Sequence, residues 1–276
     1  MGSGCLCYGT QGAANGPLML DLRCAPLVQA PCPPLKEYYS CEAHRSSWVR
    51  GLFDRTAGDY DRVERAMALG TGSGYRRRAL KRAGLAHGMS VLDVGVGTGL
   101  VAREAARLLG DPTRVTGIDP SSGMVENARV PAGVRLITGS AEEIPLPSAS
   151  VDFLSMGYAL RHVSDLSAAF GEFWRVLKPG GVICLLEITR PEGTMARMLL
   201  KAYLRGVVPM LAHVVARHPD TPKLMRFYWD TIEACAAPPA IMAAIDAAHF
   251  VRVTRHVELG IFSEYCARKP LAATLL

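Results

Sequence analysis

The chain has 276 residues, of which 49% are apolar and 20% are charged, and its formal net charge is +6 at pH 7. This composition excludes global disorder and suffices for one large α/β domain with additions. Because the basic residues are dispersed apart from one cluster, and no aromatic residues interleave with that cluster, a nucleic-acid partner is not expected.

Residues 1–40 are rich in Gly, Pro, Ala and Cys and nearly free of charge. Since they lack sustained periodicity, they are predicted to form a disordered or non-native tail, with folded structure beginning near Glu42. No secretory signal is predicted, because basic residues do not precede an apolar core. The apolar stretch 198–215 is interrupted by Lys201 and Arg205, so a membrane span is not predicted and a cytoplasmic location is expected.

The cysteines have no metal-binding or disulfide pattern. Five of the eight lie within the first 41 residues, and no two are spaced as C-x-x-C. Free thiols in a reducing compartment are therefore expected, and neither a disulfide nor a metal site is predicted.

Apolar residues at helical spacing between Trp48 and Leu85 predict helices that cap a sheet. This stretch also contains the basic cluster, which comprises Arg76, Arg77, Arg78, Lys81 and Arg82. Two interpretations of the cluster are open, namely a peripheral contact with anionic lipid headgroups and a solvated helix face.

Apolar runs alternate with helical segments between residues 86 and 190, a pattern that predicts a doubly wound, mostly parallel sheet. The predicted strands are 91–94, 115–118, 134–137, 151–156 and 182–186, and the predicted crossover helices are 101–109, 123–129 and 166–177. Two further runs, 251–257 and 261–267, flank a short turn at Leu259-Gly260 and predict an antiparallel hairpin at the sheet edge.

These elements predict an α/β fold with seven strands in a single domain, residues 41–276. Its parts are N-terminal helices (41–85), a cofactor-binding core (86–190), a helical lid (191–248) and the C-terminal hairpin (249–270). The lid is predicted because residues 195–215 are apolar and Phe227-Tyr228-Trp229 follow them. This composition is suited to covering a hydrophobic substrate. The alternative for these residues is ordinary core packing.

The most informative motif is a strand followed by alternating glycines, Val91-Leu92-Asp93-Val94-Gly95-Val96-Gly97-Thr98-Gly99. Glycines at alternate positions let the backbone approach a ligand without intervening side chains. The G-x-G-x-G spacing differs from the G-x-G-x-x-G that seats a pyrophosphate on a helix N-terminus. A phosphate ligand is therefore not implied.

Two carboxylates define the ligand further. Asp93 places a negative charge beside the loop, which suits a cation, and Asp119 follows Gly99 by twenty residues at the end of the next strand. There its carboxylate can accept hydrogen bonds from both hydroxyls of a ribose. S-adenosylmethionine (SAM) combines a sulfonium, an ammonium and a ribose without a phosphate, and it is the predicted cofactor.

Several of these segments resemble the ubiquinone/menaquinone-biosynthesis C-methyltransferases, which are class I SAM-dependent methyltransferases. The resemblance covers most of the chain from Phe53 onward. It is carried by Phe53 with Ala57 and Tyr60-Asp61, by Leu92 to Gly99, by Ala141-Glu142-Glu143-Ile144-Pro145-Leu146-Pro147, by Leu160-Arg161, by Arg175-Val176-Leu177-Lys178-Pro179-Gly180-Gly181 and by Leu186-Glu187-Ile188-Thr189-Arg190-Pro191. It implies the Rossmann-like fold of that class.

The resemblance also implies where the cofactor lies. Thr98 and the glycines are expected near its methionine portion, Tyr60 at the methionine carboxylate, Ser140 and Ala141 near adenine, and Gly157 in the pocket wall. With the residues named above, the complete set of expected cofactor-binding residues is Tyr60, Asp93, Gly95, Gly97, Thr98, Gly99, Asp119, Met124, Ser140, Ala141 and Gly157.

The departures from the family concentrate on the substrate side. His162 stands where the family usually has Asn after its Leu-Arg pair; the others are Ala159 for Gly, Glu64 for Asn, Ala68 for Ser, Tyr75 for Trp, and a final strand without the family's His. Arg161 and His162 are the catalytic candidates, as a cation or a base near an acceptor oxygen. The alternatives are an ion pair of Arg161 with Asp165 and a wall role for His162.

The expected function is transfer of a methyl group from SAM to a hydrophobic small molecule, foremost a ring carbon of a quinol or polyphenol. O- or N-methylation of a specialised metabolite is the alternative within this class. A SAM-binding pseudoenzyme that scaffolds a biosynthetic complex and a nicotinamide oxidoreductase are alternatives of other classes. A homodimer is left open.

Overall fold

A computed structural model describes residues 30–39 and 42–271. A seven-stranded sheet with the order β3-β2-β1-β4-β5-β7-β6 forms its centre. The strands are β1 (Val91–Val94), β2 (Val115–Asp119), β3 (Arg135–Thr138), β4 (Val151–Gly157), β5 (Leu177–Ile188), β6 (Val251–Glu258) and β7 (Phe262–Arg268).

The strand directions confirm the predicted fold class. Strands β1 to β5 pair in parallel, whereas β7 pairs antiparallel with both β5 and β6, so that β6 and β7 form the predicted hairpin at one edge. All four residues of β1 are buried, as expected for a central parallel strand with both faces covered. The first strand and its loop therefore lie in the middle of the sheet.

Nine α-helices occur in the described residues: α1 (Glu42–Met67), α2 (Gly72–Arg82), α3 (Leu100–Leu109), α4 (Ser122–Glu126), α5 (Leu166–Val176), α6 (Thr194–Lys201), α7 (Val208–Val215), α8 (Thr221–Ala234) and α9 (Pro238–Ala247). A π-helical turn, Ala202–Val207, joins α6 to α7. Helices α5 and α9 cover one face of the sheet, and α2 and α3 cover the other. Buried residues of α1, α7 and α8 form a third cluster with Ile188 at the end of β5, which we call the outer helical layer.

Residues 30–39 are packed against the domain, so the prediction that folded structure begins near Glu42 is wrong for them. Cys32 and Tyr39 are buried, and the Tyr38 hydroxyl donates to Asp230 Oδ2 at 2.5 Å. The amide of Ala236 donates to the carbonyl of Pro31 at 2.6 Å. This segment lacks periodicity because it packs by single aromatic contacts rather than as a helix or strand. Residues 1–29, the rest of the predicted tail, lie outside the described residues.

Four cations of the basic cluster form ion pairs within the protein: Arg76 with Glu64, Arg77 with Glu104, Arg78 with Glu258, and Arg82 with Glu258 and Glu264. Their partners lie on α1, α3 and the β6–β7 hairpin. The cluster therefore joins α2 to its neighbours, a use that neither sequence interpretation anticipated.

The packing of residues 30–39 can be tested through Tyr38. We expect Tyr38→Phe to lower the free energy of unfolding by about 1–2 kcal/mol, because the hydrogen bond to Asp230 is lost. Tyr38→Ala should cost about 3 kcal/mol, because the ring contacts with Trp48 and Phe227 are lost as well. Urea unfolding measures both, and Lys36→Ala, at an exposed position of the same segment, is the control. Equal stability of all four proteins would contradict this packing.

Candidate cofactor and active site

A cavity of about 470 Å³ lies at the carboxyl ends of β1 to β4. Loops that follow these four strands build one side of it, and residues of α1 and α2 build the other. Ligands of open α/β sheets bind at this edge, and the volume falls in the range of roughly 300–1,000 Å³ common for small-molecule sites.

The cavity brings together most of the residues predicted from the sequence. Those that line it are Tyr60, Gly95, Gly97, Thr98, Asp119, Met124, Ser140, Ala141, Gly157 and His162. Asp93, Gly99 and Arg161 do not line it, so the prediction that they contact a ligand directly needs correction.

The glycine loop owes its shape to backbone conformations that other residues rarely adopt. Gly95 and Gly97 have φ values of 65° and 53°, in the left-handed region. A Cβ at Gly95 would collide with Ala159, whereas a Cβ at Gly97 would meet nothing within 4 Å. Gly97 thus presents bare backbone to the cavity. Gly99 serves packing instead, because a Cβ there would collide with Val130.

The loop is fastened to α1 through Thr98. Its hydroxyl donates to Asp61 Oδ1, and Asp61 Oδ2 pairs with Arg103 Nη1 at 3.2 Å. Both Thr98 and Asp61 are buried. The resemblance between Tyr60-Asp61 and the family motif therefore reflects a structural contact between α1 and the loop.

Asp119 is held by two backbone amides. Its Oδ2 accepts from the Gly97 N–H at 2.8 Å, and its Oδ1 accepts from the Ser121 N–H at 2.8 Å. Burial raises the pKa of this carboxyl to about 6, although the two amides and their hydrogen bonds offset part of the effect. Each oxygen keeps a lone pair, so the carboxylate remains able to accept from ribose hydroxyls.

Asp93 lies beneath the glycine loop rather than in the cavity wall. Its side chain is buried, and its Oδ1 accepts from the Ser155 hydroxyl of β4 at 2.7 Å. Burial raises the pKa of Asp93 to about 7. The residue thus joins β1 to β4 under the loop, and any charge that it carries acts on a ligand through the backbone of the loop.

Arg76 is a buried polar residue of the cavity that the sequence reasoning did not assign to the site. Arg76 is only 3% exposed, and its Nη2 donates to Glu64 Oε1 at 2.6 Å. Its buried Nε has no hydrogen-bond partner among the described residues. Arg76 lines the cavity and lies 5.7 Å from the centre of the Tyr158 ring. Helical spacing offered a signal, because Arg76 shares the buried side of α2 with Ala79 and Leu80.

Arg161 lies behind the cavity wall. Its Nη1 pairs with Glu187 Oε1 at 2.6 Å, and its Nε donates to the Thr231 hydroxyl at 3.1 Å. The alternative ion pair with Asp165 is also wrong, because Asp165 caps α5 by accepting from the amides at its start. Arg161 acts on the cavity indirectly, since Nη1 also donates to the carbonyl of Tyr158, a wall residue, at 2.6 Å.

His162 lines the cavity with a ring that lies between Phe53 and Phe227. Neither ring nitrogen has a hydrogen-bond partner among the described residues. Burial, together with the charges of Arg161 and Arg45, holds the pKa of His162 well below its ordinary value. The imidazole is therefore neutral at pH 7, and both of its nitrogens are buried.

Segment 191–248 is helical, but no described residue in it lines this cavity. The apolar residues of α8 pack in the outer helical layer, where Phe227, Tyr228 and Trp229 are buried. The predicted roof is supplied by α1 instead, through Val49, Phe53 and Tyr60. Core packing, the alternative for Phe227-Tyr228-Trp229, is what the structure shows.

The sheet order, the glycine loop and the Asp119 carboxylate at the end of β2 are those of a class I SAM-dependent methyltransferase. Solved structures share this fold. A SAM-dependent methyltransferase from Thermotoga maritima matches with a TM-score of 0.55 and 22% identity, covering 79% of this chain and 98% of that one. A putative SAM-dependent methyltransferase from Methanococcus maripaludis matches with a TM-score of 0.56 and 15% identity, covering 81% and 95%.

The chain belongs to the ubiE/COQ5 methyltransferase family, whose model matches residues 41–269. It is 30% identical over 192 residues to the ubiquinone/menaquinone biosynthesis C-methyltransferase of Shewanella halifaxensis, covering 67% of this chain and 76% of that one. It is also 30% identical to the 2-phytyl-1,4-naphtoquinone methyltransferase of Thermosynechococcus vestitus, covering 77% and 94%. The protein is an enzyme, and SAM is its cofactor.

The ribose role of Asp119 can be tested by replacement. We expect Asp119→Ala to weaken SAM binding by about 1–3 kcal/mol, because charge-assisted hydrogen bonds are lost. Calorimetric titration with SAM measures the loss, and Glu143→Gln, at an exposed position near the cavity, is the control. Unchanged affinity in Asp119→Ala would remove the ribose role.

The raised pKa values of Asp93 and Asp119 predict opposite pH effects on binding and stability. SAM affinity should fall as the pH falls through about 6, because the Asp119 carboxyl is then protonated in the free protein. The free protein should gain stability over the same range, since unfolded Asp has a pKa near 3.9 and the native state holds more protons. This gain is complete below about pH 4 and lost as the pH rises through 6 and 7. Titrations and thermal midpoints at several pH values measure both.

The positioning role of Arg161 predicts a separation of stability from turnover. Arg161→Ala should lower the free energy of unfolding by about 3–5 kcal/mol, because Glu187 is left buried without its partner. The double variant Arg161→Met with Glu187→Leu should regain most of that stability but turn over slowly, with SAM affinity near wild type. Full turnover in the stable double variant would show that Arg161 has no role beyond its ion pair.

Proposed function

We propose that the protein methylates a ring carbon of a quinol, with a benzoquinol or naphthoquinol as acceptor. One observation carries the proposal: the cavity joins the cofactor loop to the apolar side chains of Val49 and Phe53 and to the ring of His162, whose nitrogens have no hydrogen-bond partner among the described residues. The family and the names of its quinone-methylating relatives support the same chemistry.

The residues at the strand ends fit the cofactor. Bare backbone at Gly97 and the carboxylate of Asp119 receive the ribose side, while Ser140, Ala141 and Met124 form the wall where adenine is expected. When bound, SAM supplies a methyl group on a sulfonium, whose S–CH₃ bond breaks as the bond to the acceptor forms.

Arg76 and Tyr60 are assigned to the methionine carboxylate. Arg76 lines the cavity together with Tyr60 and the glycine loop. Its unpartnered Nε there is a charged donor suited to a carboxylate. Arg76 thus takes the buried cationic role in the cavity, while Arg161 shapes the wall from behind.

The acceptor is assigned to the end of the cavity at Phe53, Val49 and His162. A quinol carbon becomes nucleophilic as the neighbouring hydroxyl is polarised, and the neutral imidazole of His162 can accept a hydrogen bond from that hydroxyl. The proton displaced from the ring carbon on methylation passes to solvent. Because its pKa is far below the ordinary value, His162 orients and polarises the hydroxyl rather than storing its proton. The aromatic rings of Phe53 and Phe227 contact the His162 ring and hold its orientation.

The proposal is tested by transfer of a ¹³C-labelled methyl from SAM to short-chain benzoquinols, naphthoquinols, catechols and amines. We expect a quinol product whose labelled carbon gives the NMR shift of an aryl C–CH₃ group. Exclusive formation of O–CH₃ or N–CH₃ products would overturn ring-carbon specificity and support the alternative.

If His162 contacts the acceptor, its replacement should lower catalytic efficiency with the acceptor and leave SAM binding unchanged. His162→Phe should lower kcat/KM for the quinol by about tenfold to a hundredfold, because one hydrogen bond to the acceptor is lost, while SAM affinity stays unchanged. Because its pKa is so low, the wild-type pH profile should show no inflection from His162 near neutrality. Steady-state kinetics measures both effects, and His256→Asn on the exposed strand β6 is the control. A matching loss of SAM affinity would instead indicate a disrupted wall.

A further inference from the structure

The helical segment Thr194–Val215, comprising α6, the π-helical turn and α7, is unusually apolar for a surface element. Its length and composition would allow it to cross a membrane, with a mean hydropathy of 1.4, yet only 22% of its most apolar window is buried. The core helix of a soluble protein would be mostly buried. This segment therefore exposes an apolar surface that the described residues do not cover.

The exposed apolar residues recur at helical spacing on the side away from the protein. In α6 these residues occupy positions i, i+3 and i+4. From the π-helical turn into α7 they occupy positions i, i+3 and i+7. We call them the apolar face: Met195, Met198, Leu199, Val207, Met210 and Val214, which are 45–78% exposed. The opposite side, with Leu204, Val208 and Ala212, is buried in the outer helical layer. A helix with one side in the protein core cannot be surrounded by lipid, so the segment does not span a bilayer.

The charges beside the apolar face are positive. The segment contains Arg197, Lys201 and Arg205 and no carboxylate. These three cations share two carboxylates of α8, Glu233 and Asp230, and each cationic side chain remains 45–47% exposed. The surface therefore has an excess positive charge next to exposed methionine, leucine and valine side chains.

We propose that residues 194–215 form an interfacial helix that docks the protein on an anionic lipid bilayer. Apolar residues that enter the acyl boundary and cations that meet the headgroups are the two contributions that hold such helices in the membrane plane. A second copy of this chain is a poorer partner. A twofold interface would place the same cations opposite one another.

The segment is also next to the wall of the cavity. The Tyr203 hydroxyl donates to the carbonyl of Met67, at the end of α1, at 2.7 Å, and Arg62 of α1 donates to the carbonyl of Val215 at 3.1 Å. Helix α1 carries the cavity-lining residues Val49, Phe53 and Tyr60. Docking would thus bring the bilayer one helix away from the cavity, although the docking proposal does not depend on which acceptor is methylated.

The test is flotation of the full chain with vesicles of phosphatidylcholine alone and of phosphatidylcholine with phosphatidylglycerol in equal parts. We expect binding to the mixed vesicles that weakens with salt and is released by alkaline carbonate. The triple variant Met198→Gln, Leu199→Gln, Met210→Gln should bind about tenfold more weakly or worse, because the apolar contribution is removed. Gln has nearly the helix propensity of the residues replaced, and circular dichroism with thermal unfolding confirms the fold.

The matched control is Leu69→Asn with Leu259→Asn, which removes two other exposed leucines at positions whose positive φ Asn tolerates. This control should float like wild type. No vesicle binding by wild type, or equal binding by the triple variant, would overturn the proposal. Resistance to carbonate would also overturn it in favour of a membrane span. A wild-type dimer that the triple variant makes monomeric, without vesicle binding, would overturn it in favour of self-association.

Discussion

The arrangement of the site depends on the buried ion pair between Arg161 and Glu187. The Arg161 guanidinium also donates hydrogen bonds to the Tyr158 carbonyl after β4 and to the Thr231 hydroxyl of α8. It lies over the Tyr228 ring, 4.2 Å from the ring centre. Arg45 of α1 donates to the backbone carbonyl of Arg161 at 3.0 Å. One charged side chain thus connects the sheet, the cavity wall and the outer helical layer. A buried pair with so many satisfied donors fixes geometry more than it adds net stability.

Two parts of the fold build the cavity, namely the sheet and the helices. The sheet supplies the loop, Asp119 and the strand ends, which local backbone rules and parallel pairing hold in place. Helices α1 and α2 supply Phe53, Tyr60 and Arg76, whose positions follow from tertiary packing alone. The cavity is therefore built partly by the strand ends and partly by the helices.

This division explains what the sequence could predict. The sheet, its hairpin and most cavity-lining residues at strand ends followed from periodicity and glycine spacing, because those signals are local. The side chain of Arg161 and residues 30–39 are positioned by partners that no local pattern identifies, such as Glu187 for the first and Asp230 for the second. The position of Arg76 depends on which side of α2 is buried. Asp93 was placed beside the ligand because spacing identifies the end of a strand but not the face toward which its side chain points.

The backbone of Tyr158 shows how the sheet and the helices depend on each other. Its φ of 60° is uncommon for a non-glycine residue, and such conformations persist only where surrounding contacts over-determine them. Two hydrogen bonds do so here. The Tyr158 amide donates to the carbonyl of Leu186 in β5, and Arg161 Nη1 donates to the Tyr158 carbonyl. This conformation therefore requires both the sheet and the docked helices, and a change in the helices that loosens Arg161 would also alter the cavity wall at Tyr158.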